Sequence, residues 1–198
     1  SWKLDSSSTH TWGSVPAALR MAQLVVALAV VATVVWRGHP EAALLGGVAV
    51  RLALDPATWL PIAGADVDIF RAGDPLAQRP WHNVGAIGFE PDGTLWALFG
   101  DKTVSVNGQD VDDALGALVR MIPNRDAAGA TPAPDNPFVA AADGKSPWIY
   151  AWGLRSPWRG TRDAAGRWFI GDVGQDTYEE VNVVTGPADN FGWSEAEG

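Results

Sequence analysis

The chain has 198 residues, no cysteine and a formal net charge of −9, all of it carried by residues 81–198, with eight basic against seventeen acidic side chains. Disulfides, zinc–thiolate centres and thiol nucleophiles are excluded by the missing cysteine. A nucleic-acid-binding surface is excluded by the acidic balance and the lack of any basic patch. Eleven tryptophans against two tyrosines point to packed aromatic layers, to membrane-interface anchoring, or to both.

After an N-terminal tail over residues 1–16, the uncharged run Met21 to Trp36 spans about 24 Å as a helix. Ala17, Ala18 and Leu19 lengthen it, and Arg20 can snorkel, so residues 17–36 are long enough to cross a bilayer. A signal peptide and a buried core helix compete with this reading. The small-residue cleavage pattern is poor, however, and apolar residues surround the helix without a polar face. The expectation is a single-pass anchor contacting the lipid bilayer. Residues 37–81 read as a membrane-proximal segment. Within it "AALLGGVAVRLAL" is an interfacial helix or a strand, and the proline- and glycine-rich stretch after it is an ordered linker.

From residue 82 the texture becomes short strands and turns. "GAIGFEPDGTLWALFGD" reads as strand, Pro-Asp-Gly turn, strand and Gly-Asp, and "RDAAGRWFIGD" repeats the plan. The two Gly-Asp pairs lie 71 positions apart (171 − 100). In "DVDDALGALVRM", early acids and the spacing of Leu115, Leu118 and Val119 predict a short helix over Asp112–Val119. "GDVGQDTYEEVNVV" is by residue type a tight turn leading into a half-buried strand at Val181, Val183 and Val184. It does not have the alternating oxygen ligands of an EF-hand.

In chain order, "HNVGAIGFEPDGTLWALFGD", "DALGALVRMIP", "PDNPFV", "WIYAWGLRSPWRG", "GDVGQDTYEEVNVV" and "DNFGWSEAEG" resemble the glucose/sorbosone dehydrogenase family. Its members are six-bladed β-propellers that oxidise sugars with pyrroloquinoline quinone and calcium. The resemblance implies that residues 82–198 are mainly β, a partial β-propeller of two to three blades in sheets of about four strands, preceded by the single transmembrane helix. It also implies roles for particular residues. His82 matches the base that acts on the anomeric hydroxyl, a task suited to imidazole. Arg155 matches the cation facing the quinone oxygens. Ser156 stands on the cofactor side, where the family has asparagine. Gly174 and Gln175 match positions whose backbone carbonyls hold calcium, while Glu179 and Glu180 orient that turn or face solvent.

Departures from the family pattern, namely Ser156, Val84 in place of a paired glycine, and Trp81 beside the histidine, weigh against activity. So does length, because 117 residues (198 − 82 + 1) make two or three blades at about 40–45 residues each. The expectation is therefore a non-catalytic accessory subunit with no cofactor. It would sit in a larger membrane complex, photosynthetic or respiratory, with its C-terminal domain on the periplasmic side and other subunits as partners. The alternative is a membrane-anchored quinoprotein sugar dehydrogenase using calcium and pyrroloquinoline quinone. If the anchor is present, carbonate extraction at high pH leaves the chain in the membrane pellet, and its appearance in the supernatant removes the anchor.

Overall fold

The computed structural model describes residues 47–51, 57–58, 62, 67–73, 81–124 and 127–197. The anchor expected over 17–36 lies outside them. Among the described residues no helix is long and apolar enough to cross a membrane. The described part is mainly β. Its strands are β1 (Gly47–Arg51), β2 (Val67–Ala72), β3 (Val84–Phe89), β4 (Leu95–Phe99), β5 (Ala117–Pro123), β6 (Ala130–Pro132), β7 (Ile149–Trp152), β8 (Pro157–Arg162), β9 (Trp168–Asp172) and β10 (Glu180–Val184), with one 3-10 turn at Ser105–Gly108.

These strands pair antiparallel in three sheets: β1-β2, β3-β4-β5-β6 with β7 also on β5, and β8-β9-β10. Within residues 82–198 the expectation of about four strands per sheet meets one sheet of five and one of three among the described residues, and the two-stranded sheet lies upstream of them. The five-stranded sheet arises because β5 shares one edge between two short strands. Met121 to Pro123 pair with β6, and Ala117 to Val119 pair with β7. The segment read as linker contains β2 and, upstream of it, β1, which resolves the helix-or-strand alternative there in favour of a strand.

The middle sheet has a core on each side of its central strands, and the fully buried sequence "LWALF" of β4 is the reason. Successive side chains of a strand point to opposite faces. Leu95, Ala97 and Phe99 therefore join Ile69 and Phe70 of β2 in one core, while Trp96 and Leu98 join Trp168, Ile170 and Val184 of the third sheet in another. Phe70 packs edge-on against Phe99 at 5.6 Å between ring centroids. The three sheets are thus stacked layers; the expected strands appear at β3, β4, β9 and β10, and burial alternates along β9 and β10.

The helix expected over Asp112–Val119 is absent: residues 111–116 form turns and β5 starts at Ala117. Gly116 explains the difference, since it sits at φ +58°, a left-handed conformation that ends any helix and suits glycine. An added Cβ there would lie 2.7 Å from the Leu154 carbonyl oxygen. The acids close turns instead of capping a helix, Asp110 accepting from the Asp112 amide and Asp113 from that of Ala114. Leu118 and Val119 are both buried because β5 has a core on each side.

A buried ion cluster crosses the second core. Arg120 is held in a fork by Glu90, Nε to Oε1 at 2.5 Å and NH2 to Oε2 at 3.1 Å, and its guanidinium lies 4.6 Å from the centre of the Tyr150 ring. Both side chains are buried, and Arg162 approaches Glu90 at 3.3 Å. Removing the Glu90 charge leaves buried Arg120 with the exposed Asp135 at 2.7 Å, whereas replacing Glu90 and Arg120 together with apolar residues leaves unpaired only groups that reach solvent, Arg162 and Asp135. Glu90→Gln is expected to lower unfolding free energy by about 3–5 kcal/mol, and Glu90→Leu with Arg120→Met by much less, as urea denaturation measures. Equal losses in the two variants would refute this account of the cluster.

Candidate active site

Five segments converge on one end of the sheets: the residues before β3, the loop after β4, the chain entering β8, the β9–β10 loop, and the turn after β10. Gly100, directly after β4, allows the first two to touch. A Cβ at Gly100 would lie 2.5 Å from the His82 carbonyl oxygen; without one, the Gly100 amide donates to the Asn83 carbonyl at 3.0 Å. This close approach brings His82 to Asp101. The His82 Nδ1–H donates to Asp101 Oδ1 at 2.6 Å, and Asp101 is buried at 2% exposure.

Every oxygen of Asp101 is in use. Oδ1 also accepts from the Thr103 amide at 2.7 Å, Oδ2 accepts from the Trp193 indole N–H at 2.8 Å, and the main-chain carbonyl accepts from Asn107. Three non-glycine residues here hold left-handed backbone: His82 at φ +53°, Lys102 at +59° and Thr103 at +61°. Such conformations cost about 1–3 kcal/mol each and concentrate at functional sites. Lys102 is buried, its amine donates to Asn83 Oδ1, and burial pulls its pKa below the usual lysine range.

Arg155 is held from three directions. Its NH1 donates to the carbonyls of Val173 (3.0 Å) and Gly174 (2.9 Å), its amide donates to Asp172 Oδ2 (2.9 Å), and its guanidinium lies 5.3 Å from the Trp193 ring centre. The Ser156 amide donates to Asp172 Oδ1 at 2.6 Å, so Ser156 serves here through its backbone. His82, Thr103, Ser105, Arg155, Gln175 and Trp193 line one cavity of about 360 Å³, together with Asp101 and the exposed Trp81. Of the residues singled out from sequence, His82, Arg155 and Gln175 share this cavity, and Gly174 contributes a carbonyl to Arg155. Asp101 and Asp172 were legible only as the acids of the two Gly-Asp pairs, and Trp193 only as part of "NFGW". The repeated pairs were the available signal, since both acids close strands on the same side.

An oxygen-rich quinone fits this donor set. The Arg155 Nε is buried with no hydrogen-bond partner, and a guanidinium offers five donors for planar oxygen groups. Calcium fits less well. It takes six to eight oxygens, whereas the candidates are two carbonyls, and that of Gly174 already accepts from a cation. The loop's amides turn elsewhere. Gly174 donates to Glu179, which orients the turn, and Gln175, Asp176 and Thr177 donate to Glu197 Oε1. Among the described residues no group of three or more acidic or histidine side chains supplies the remainder. These residues alone do not make a calcium site.

Stacked antiparallel sheets with a histidine–aspartate pair and a buttressed arginine around a polar cavity define a mainly β protein equipped for proton transfer beside a fixed cation. The sequence profile of the glucose/sorbosone dehydrogenase family matches residues 49–198, and the chain belongs to that family. The match begins 33 residues (82 − 49) before His82 and takes in β2 and most of β1. The HIPL1 protein of Arabidopsis thaliana is 35% identical over 66% of this chain and 20% of its own length. A structure described as the PQQ-bound form of aldose sugar dehydrogenase from Streptomyces coelicolor is 36% identical, covering 75% of this chain and 40% of that one, with a TM-score of 0.60. A glucose dehydrogenase crystal structure is 25% identical, covering 78% and 42%, with a TM-score of 0.65. The chain therefore spans about a fifth of the curated relatives' length and about two fifths of the solved structures it matches.

Asp172 makes the site sensitive to pH. Burial raises its pKa from 3.8 to about 6, against the opposing amides of Arg155 and Ser156. A raised carboxyl favours the folded state while protonated, and that stability is lost as pH rises from about 4 through 6. Its size is about 3 kcal/mol for a shift of about two units. In Asp172→Asn the group cannot ionise. The stability of the native chain relative to this variant is expected to fall by about 3 kcal/mol between pH 4 and pH 7. Urea denaturation at both pH values measures it, and a constant difference removes the assignment.

Proposed function

We propose that this chain supplies the base and cation of a pyrroloquinoline-quinone-dependent aldose dehydrogenase, with its stacked sheets as an arc of a β-propeller. The observation that carries the reading is the 2.6 Å contact from His82 Nδ1 to buried Asp101, in a cavity shared with Arg155. Support comes from the 36% identity to the PQQ-bound aldose sugar dehydrogenase of Streptomyces coelicolor.

Asp101 accepts from Nδ1–H, which leaves Nε2 as the unprotonated nitrogen of a neutral imidazole. Nε2 takes the proton of the sugar's anomeric hydroxyl, and Asp101 stabilises the imidazolium that results. The quinone, when bound, supplies a two-electron acceptor for the carbon-bound hydrogen. Arg155, fixed in place by the Val173 and Gly174 carbonyls and by the Trp193 ring, would offer its remaining donors to the quinone oxygens. Thr103 and Ser105 line the same cavity and offer hydroxyls to a sugar.

A second reading is favoured by the outer strand of the third sheet. Val181 is 73% exposed on β10, and Val183 and the nearby Tyr178 are also exposed. An apolar edge strand suits coverage by another polypeptide, as in an accessory subunit of a membrane complex with this domain on the extracytoplasmic side.

The test is reconstitution with pyrroloquinoline quinone, with and without calcium, followed by dye reduction with glucose and other aldoses. The expected result is sugar-dependent turnover that falls at least a hundredfold in His82→Ala and in Arg155→Ala. Failure of every aldose in the intact native assembly favours the accessory subunit.

A further inference from the structure

We propose that Trp193 is a positioning residue that ties the base and the cation of the site into one unit. The part concerning catalysis rests on the reading of His82 as the base. The Trp193 side chain serves both groups. Its indole N–H donates to Asp101 Oδ2 at 2.8 Å while Oδ1 receives His82, and its ring lies 5.3 Å from the Arg155 guanidinium. With both carboxylate oxygens pinned, Asp101 cannot rotate about its side-chain bond, and the imidazole it holds keeps one orientation.

Trp193 is itself clamped. Gln109 and Asn190 exchange amide hydrogen bonds, 2.9 Å in one direction and 2.8 Å in the other. Gln109 Nε2 also donates to the Trp193 carbonyl at 2.6 Å, and the Trp193 amide donates to the Gly153 carbonyl at 3.1 Å. The clamp joins residues 81 to 84 positions apart in the chain. The turn after β10 is thereby locked to the 3-10 turn that follows Asp101. Disturbing the Gln109 side chain should reach His82 by way of Trp193 and Asp101.

The experiment uses the full chain and reads two quantities. The first needs no cofactor: the downfield NMR resonance of the His82 Nδ1 proton on Asp101, identified by its absence in His82→Ala. The second is the division between kcat and KM for glucose in dye-linked turnover, after loading with pyrroloquinoline quinone and calcium. Trp193→Phe keeps a ring for Arg155 and deletes only the N–H. It is expected to move the resonance upfield and broaden it, and to lower kcat roughly tenfold, the effect of one lost hydrogen bond. KM should stay within about twofold because ground-state binding is untouched. Gln109→Met, at a half-buried position, is expected to act in the same direction with a smaller effect, and it decides the matter if Trp193→Phe does not fold by thermal unfolding. A resonance and kcat that match the native chain in a folded Trp193→Phe overturn the proposal, as they do in Gln109→Met where that variant stands alone. A resonance that responds in a chain without turnover toward any aldose supports the positioning role and removes the dehydrogenase reading instead.

Discussion

The structure depends on one constraint: the central strands of the middle sheet, β4 and β5 over Ala117 to Met121, have no solvent face. Alternate residues of β4 and β5 feed two different cores, so this sheet holds the β1–β2 hairpin on one side and the third sheet on the other. At about 25 cal/mol per Å² of apolar surface removed from water, a strand buried twice is the cheapest way for a short chain segment to join three layers. The same constraint fixes where the site can be. With both of its faces apolar, β4 can present polar groups only at its ends, and Asp101 lies two residues beyond the end of β4.

The charges of the site are consequently drawn into the protein and have to be met there. Asp101, Lys102 and Asp172 are each at most 4% exposed, and each is held by hydrogen bonds from neighbouring loops. A buried ionic group without partners costs several kcal/mol, so the loops that meet these groups cannot move independently. Asp172 takes the backbone amides of Arg155 and Ser156, which sets the path of the chain entering β8. Asp101 takes His82, Thr103 and Trp193. Two carboxylates organise the cavity, and they come from equivalent Gly-Asp positions after or at the end of β4 and β9.

Membership of the glucose/sorbosone dehydrogenase family rests on most of the chain, because the match runs from residue 49 to 198. The fold is shared with solved structures of which this chain covers about two fifths. What the chain contributes to the proposed chemistry is the proton acceptor with its carboxylate, and the arginine with its carbonyl and indole supports. Those parts are preassembled by groups within the described residues, which is the property that general base and electrostatic catalysis require of a site.

The sequence by itself determined the β class, the turns at Pro91-Asp92-Gly93 and at Asp163 to Gly166, a half-buried strand through Val181, Val183 and Val184, and His82 and Arg155 as the residues to examine. These are readable because turn chemistry and strand alternation are local, and because the motifs stand in a fixed order. Only the tertiary structure decided that "DVDDALGALVRM" is turn and strand, since a strand buried on both faces imitates the apolar spacing of a helix, and the conformation of Gly116 depends on the Leu154 backbone beside it. The structure alone also converted two acids that looked like turn closers into the organisers of the site. Asp101 meets His82 across 19 positions and Trp193 across 92, and no local pattern records which distant donors a buried carboxylate will find.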